Sequence, residues 1–450
     1  RRTDAFLNKE FHKKQNFFSF SDIDSERKDR IMKFTSTEAT PAPHVPPGVL
    51  RLTGAAKEDI PMYRIQTMNK ISPVGLNRFP SELYEVGDAV QDPQGILVRS
   101  AKLLDLEFNP SLLAIARAGV GVNNIPLDRC AAAGIPVFST PGANANAVKE
   151  LVICAMLMGS RDIPGAIRWV REQAASGVDV STVVEKGKSA FIGPELYKKT
   201  LGIIGLGAIG SIVANTAISL GMDVYGYDPF LSVDTALRLD RHVHVVKDIN
   251  DLYKRSNYIT MHIHYTEKTA HMIDASAIAA MKRGVRVINL ARGEIVDDEA
   301  MLTALDTGMV AAYITDFPNN RLLTAPHVIA MPHLGASTPE SEQNCAAMAV
   351  DTLRDYLESG NIRSSVNLPE MTMDRSGVQR LCVLHKNVPG MLANITSLFG
   401  RDGVNVENLS NKSRGDYAYT MVDLGSKVGD NVIEDVRRTA NVIRVRSLEW

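Results

Sequence analysis

The sequence predicts an α/β protein: doubly wound parallel sheets, then a smaller split β-α-β-β-α-β unit. Three observations carry this. From Met62 onward, short β-rich runs alternate with helical patterns, the mark of βαβ units. The segment LGIIGLGAIG joins an apolar strand to a helix through closely spaced glycines. The last seventy or so residues read strand, helix, strand, strand, helix, strand.

At roughly 150 residues per domain, 450 residues correspond to about three domains, enough to bury sizeable cores. The 50 basic and 51 acidic side chains leave a net charge of −1, which excludes a chain built to neutralise a run of nucleic-acid phosphates but allows a small anionic ligand. Cys130, Cys154, Cys345 and Cys382 lie far apart and form no C-x-x-C pair. Neither a disulfide framework nor a metal site is expected, and a reducing, cytoplasmic setting fits. The longest apolar run, Leu151 to Met158, is far short of the ~20 residues that span a bilayer, so no membrane partner is expected.

Taking the elements in order, residues 1–61 mix charge clusters, phenylalanines and a Pro-rich stretch. They are expected to form a poorly ordered extension, outside the folded body that opens at Met62. Strand-like runs YRIQTMNKI, GILVRS, LLAIARAG and IPVFST predict a first lobe over 62–146. The apolar helix VKELVICAMLMGSRDI leads into a second lobe, 147–336, with strands at LGIIG, MDVYGYD, YITMHIH, VRVINLAR, AAYITDF and HVIAMPH. Six strands in series are what one doubly wound sheet requires. Ser337 and Thr338 followed by Pro339 cap a helix that runs to about Glu358 and carries the chain, over 337–372, back to the first lobe. A polar linker then precedes the β-α-β-β-α-β unit, 378–450.

Gly205, Gly207 and Gly210 allow a tight turn and close approach of backbone to a pyrophosphate seated on the helix that begins at Ala208 and Ile209. Asp228 ends the next strand, where a carboxylate accepts hydrogen bonds from ribose hydroxyls and repels a 2′-phosphate, favouring NAD over NADP. Tyr227, His262, Ala291 and Asp316, at other strand ends, join these as candidate cofactor-binding residues. Arg292 and His333 each follow a strand of the same sheet. A histidine near neutral pKa suits the general acid/base of an alcohol oxidation, and a guanidinium fork suits the substrate carboxylate.

With these motifs on the page, Met62 to Trp450 resembles the D-2-hydroxyacid dehydrogenase family, in its form with a C-terminal ACT domain. The resemblance implies two Rossmann-like lobes of the formate/glycerate dehydrogenase type around a cleft, with a ferredoxin-like ACT unit behind them. VRSAKLL and RAGVGVNNI match the family's substrate segments, implying that Arg99, Ser100, Arg117, Gly121 and Asn123 bind substrate. The implied reaction is NAD-dependent oxidation of 3-phosphoglycerate to 3-phosphohydroxypyruvate, the first step of serine biosynthesis. HKNVPGMLANITSLFGRDGVNVENL resembles the family's serine-binding segment, implying an effector site at His385, Asn387 and Asn405 shared across a homodimer or homotetramer. In TDFPNNRLL, Asn320 stands at the position of the usual Glu that pairs with the catalytic His, with Asp316 as the other candidate partner. That departure keeps open a weakened, NAD-sensing protein, beside the alternative of a glyoxylate or hydroxypyruvate reductase.

Overall fold

The computed structural model describes residues 62–450, so the expected extension at 1–61 lies outside the described residues. Strands β1 (Tyr63–Met68), β2 (Tyr84–Gly87), β3 (Gly95–Val98), β4 (Ala114–Arg117) and β5 (Val137–Phe138) form a parallel sheet in the order β2-β1-β3-β4-β5. A second parallel sheet holds β6 (Thr200–Ile204), β7 (Asp223–Tyr227), β8 (Val243–Val246), β9 (Tyr258–Met261), β10 (Val285–Asn289), β11 (Val310–Thr315) and β12 (Val328–Ala330). Its order, β12-β11-β10-β9-β6-β7-β8, reverses direction between β6 and β9. Helices cover both faces, so central strands such as GILV and YITM are buried at every residue. Strands β2 and β8 were not expected. Both lie at sheet edges, where half-exposed, polar-interrupted runs such as YEVG and VHVV carry a weak strand signal.

Two long helices tie the sheets together. The crossing helix (Ala145–Arg161) lays Val148, Val152, Ala155 and Met156 against Leu201, Ile203, Ile288 and Ile314 of the second sheet. The return helix (Pro339–Ser359) lays Ala346, Ala349, Val350 and Leu353 against Ile65, Leu97 and Ala116 of the first. Thr338 caps it, accepting a hydrogen bond from Ser341 N at 3.1 Å. Two further helices, Ile163–Ala175 and Val180–Gly187, were not anticipated. Their amphipathic stripes bury no residue in this chain.

After the linker, β13 (Gln379–Lys386), β14 (Val406–Arg414), β15 (Tyr417–Leu424) and β16 (Val442–Glu449) form an antiparallel sheet in the order β14-β15-β13-β16. Helices Met391–Arg401 and Asp430–Arg438 cover one face through Ile395, Phe399, Val432 and Val436. The other face, with Cys382, Leu384, Tyr419 and Met421, packs into the core that holds the return helix. There the helix C-terminus is clamped. Arg446 donates to the carbonyls of Tyr356 (3.1 Å) and Leu357 (2.9 Å), and Arg375 to that of Glu358 (2.9 Å). Arg380 donates to Ser359 O (2.8 Å) and the Tyr419 hydroxyl to Gly360 O (2.6 Å). Tyr356 O also accepts from Gly360 N and Leu357 O from the Tyr63 hydroxyl, so the last-turn carbonyls that a helix end exposes are all bonded, and cations there also match the macrodipole.

Arg380 is held by a bidentate pair with Asp423 at 2.5 and 2.7 Å, both side chains fully buried. Removing one member strands the other charge. Asp423→Ala should therefore cost about 3–5 kcal/mol in urea denaturation of the full chain; a loss below ~1 kcal/mol would show that the clamp does not depend on this pair.

Candidate active site

Parallel strands deliver their side chains to one end. The glycine turn follows β6, Asp228 follows β7, His262 follows β9, Arg292 lies beyond β10, Asp316 follows β11 and His333 lies beyond β12. In open sheets that edge, at the point of strand reversal, is where ligands bind.

The glycine turn fits a dinucleotide. Gly205 has φ +90°, and a Cβ there would lie 2.6 Å from His262 O; one at Gly210 would lie 1.9 Å from Gly205 O. Both are structural necessities. A Cβ at Gly207 would meet nothing within 4 Å, so this glycine keeps open the space where a pyrophosphate would meet the N-terminus of helix Ala208–Ser219. Asp228 is tied to this turn: Oδ2 accepts from Leu206 N and Oδ1 from Phe230 N, each at 2.9 Å. Each oxygen keeps a lone pair for a ribose hydroxyl. Ile209 is half-buried, Tyr227 packs on the core beneath, and Ala291 is buried. Desolvation pushes His262 down to about 4, so its ring is neutral at ordinary pH; Nε2 lies 3.2 Å from Thr260 Oγ1.

The reacting end is built around Phe317. Its ring lies 4.7 Å from the His333 ring, and the Arg292 guanidinium lies 6.0 Å from its centroid. Asn289, fully buried at the end of β10, donates to Arg292 O (2.8 Å) and accepts from Ala291 N (3.2 Å), which shapes the turn that presents Arg292. Arg292 reaches the first lobe: a Cβ on Gly121 would lie 3.2 Å from its Nη2 and 3.7 Å from Asn123 Oδ1. Arg117 sits in the same neighbourhood. Burial pulls its guanidinium below the ordinary value, and the positive charges of Arg292 and Arg99 pull it further. Its Nε is buried without a hydrogen-bond partner. Arg99 and exposed Ser100 follow β3 on a loop that Asn69 holds through Ser100 N (3.1 Å) and Ala101 N (2.7 Å). Asn69 and Asn289 carry no motif of their own; each is legible only as an Asn at a strand end, a residue type that bonds local backbone.

Asn320 and His333 are both exposed, and no hydrogen bond joins them. The carboxylate near His333 is Asp316, which accepts from Gly335 N at 3.2 Å. Burial lifts Asp316 above its ordinary value of 3.8, while the His333 charge and the Gly335 N–H pull it back. Its Oδ1 is buried without a partner, as is Thr140 Oγ1 on the loop whose Gly142 faces Ala208. Orphaned groups of this kind call for a polar ligand, and Asp316 keeps an acceptor for a cofactor amide. Among the described residues no three His, Cys, Asp or Glu side chains cluster to hold a metal ion.

The three effector candidates are not gathered in one chain. His385 is buried, with Nδ1 2.8 Å from Lys386 O and Nε2 2.9 Å from Thr420 Oγ1. Exposed Asn387 donates to Gly415 O (3.1 Å) beside it. Asn405 bonds Glu407 (3.0 Å) and precedes Val406, which pairs with Leu424 and so lies level with Gln379, a full strand length from His385. A site using all three requires a second copy.

Residues 153–335 match the model of the D-isomer specific 2-hydroxyacid dehydrogenase NAD-binding domain. The chain is 31% identical to the D-3-phosphoglycerate dehydrogenase of Haemophilus influenzae, over 81% of this chain and 88% of that protein. It is 35% identical to that of Synechocystis sp. over 70% of this chain, but spans only 56% of that relative's length. The crystal structure of cofactor (NAD+) bound 3-phosphoglycerate dehydrogenase in Entamoeba histolytica superposes with a TM-score of 0.53 at 26% identity, covering 68% of this chain and 99% of that one.

The glycine geometry predicts a contrast. Gly207→Ala should leave thermal stability close to wild type and weaken dinucleotide binding at least tenfold, whereas Gly210→Ala should destabilise the fold itself. Equal melting-temperature losses would contradict the assignment. Asp316 yields a pH prediction. Its folded pKa is raised, so the ionised form costs stability above that value and costs nothing where the group is protonated both folded and unfolded. Asp316→Asn should raise the melting temperature of the ligand-free protein at pH 8, with the gain shrinking as pH falls toward 4. A pH-independent effect would show that the carboxylate's burial is not the source.

Proposed function

The chain belongs to the D-isomer specific 2-hydroxyacid dehydrogenase family, and from that premise we propose that it oxidises 3-phosphoglycerate to 3-phosphohydroxypyruvate with NAD. The observation that carries this reading is the convergence of Arg99, Arg117 and Arg292, with the Arg117 Nε buried and unpartnered. One carboxylate does not require three guanidinium groups; a carboxylate plus a phosphate does. Arg292 holds the carboxylate and polarises the C2 oxygen, while Arg99 and Arg117 take the phosphate end, with Ser100, Gly121 and Asn123 shaping the loops between. His333 accepts the proton of the C2 hydroxyl and returns it in the reverse direction. Asp316 anchors the His333 loop through Gly335. The bound nicotinamide supplies the acceptor for the hydride that leaves C2. With the carboxylate supplied by Asp316, Asn320 gives no reason to read a retired enzyme.

NADH should form with 3-phosphoglycerate far faster than with unphosphorylated D-glycerate, and His333→Ala should lower kcat by roughly 10² to 10⁴ with little change in dinucleotide affinity. A preference for the unphosphorylated acid would assign the chain to another reaction of the family.

The proposal extends to serine feedback through the C-terminal unit, read as an ACT domain, and to a homo-oligomer. Two features support it. Asn387 and Asn405 lie at opposite ends of one sheet, where only paired copies bring them together. The helices Ile163–Ala175 and Val180–Gly187 present Ile167, Val170 and Val184 to solvent, a surface suited to a second copy. The free cysteines suit a cytoplasmic location. Light scattering should give a mass of two or more chains, and calorimetry on the full chain should detect serine; a monomer without serine heat would remove this part of the proposal.

A further inference from the structure

Arg99 is not free. Its Nη2 lies 2.6 Å from Glu342 Oε1, and both side chains are a little under half exposed. Glu342 sits in the first turn of the return helix, which begins six residues after His333. Among the described residues neither Arg117 nor Arg292 has a carboxylate within ion-pair distance, so Glu342 is the anion that the arginine cluster meets inside its own chain. We propose that Glu342 is a built-in counter-ion for Arg99, a specificity-determining residue that a substrate phosphate must displace.

The chemistry favours displacement by the right anion. An exposed carboxylate pair is weak, because both partners are well solvated and their side chains lose rotamer freedom to hold it. A phosphate dianion brings more charge and three acceptor oxygens to the same guanidinium, with Arg117 close enough to share it. Glu342 then lies beside a second negative charge, and the return-helix N-terminus, where Glu340 also stands, still favours an acid. The consequence is graded competition: every anion that takes Arg99 must displace Glu342, and a phosphorylated substrate aligned by Arg292 does so most readily. A substrate without a phosphate leaves the pair intact and is indifferent to Glu342.

This inference rests on the phosphorylated substrate proposed above, so its test is arranged to separate the two. In Glu342→Gln, the KM for 3-phosphoglycerate should fall about 3- to 10-fold, with kcat moving less than about twofold and the KM for D-glycerate unchanged. Calorimetry with inorganic phosphate, which needs no turnover, should show tighter binding to the variant by a similar factor. If the wild type fails to oxidise 3-phosphoglycerate but phosphate still binds more tightly to Glu342→Gln, the counter-ion role stands and the substrate assignment falls. Phosphate affinity that is equal or weaker in the variant, or a KM change shared by both substrates, overturns the counter-ion role.

Discussion

Like charges repel, and this molecule brings three guanidinium groups together where loops of its two parallel sheets meet. Arg99 and Arg117 come from strand ends of the first sheet, and Arg292 from a strand end of the second. Burial makes the crowding worse for Arg117 by taking it out of water. The scaffold holds each group against that repulsion. Asn69 fastens the Arg99 loop, Asn289 shapes the Arg292 turn, and the missing Cβ of Gly121 lets Arg292 approach the loop after β4. An anion that bridges these groups relieves the repulsion, so the protein is organised before its ligand arrives. Glu342 supplies a partial substitute from within the chain.

The return helix connects this site to the C-terminal unit. At 21 residues it is about 32 Å long. Its first turn carries Glu342 toward Arg99, and its last five carbonyls, through Gly360, are taken by Arg446, Arg375, Arg380 and Tyr419. A rod whose far end is hydrogen-bonded by side chains of the antiparallel sheet does not shift freely past that sheet. One helix therefore joins the C-terminal unit to the Arg99–Glu342 pair. A ligand of the C-terminal unit that distinguishes two positions of this helix would therefore act on Arg99 as well.

Much of this was legible in the sequence because it is local. A glycine-rich strand-to-helix turn and polar residues just past apolar strands need no long-range information, and Gly205, Asp228, Arg292 and His333 all stand at the strand ends where the pattern put them. The edge strands β2 and β8 escaped because edges are half-solvated and lose the apolar run that marks a buried strand. Counting along TDFPNN does not say which side chain turns inward; Thr315 and Asp316 are buried and Asn320 is exposed. Asn405 could not be located relative to His385 without sheet register, which decides that they lie at opposite ends. Glu342 and the arginine clamp were invisible for the same reason: their partners lie from about twenty to more than two hundred residues away.

The central claim is that the arginine cluster is a divided anion site, one end for a carboxylate and the other for a phosphate. A crystal structure with 3-phosphoglycerate and NAD tests it most directly. The account predicts the carboxylate on Arg292 within reach of His333, the phosphate on Arg99 with the Arg117 Nε–H now donating, and Glu342 released from Arg99. A ligand seated away from this cluster, or one bound with the Arg99–Glu342 pair intact and the Arg117 Nε still unpartnered, would contradict it.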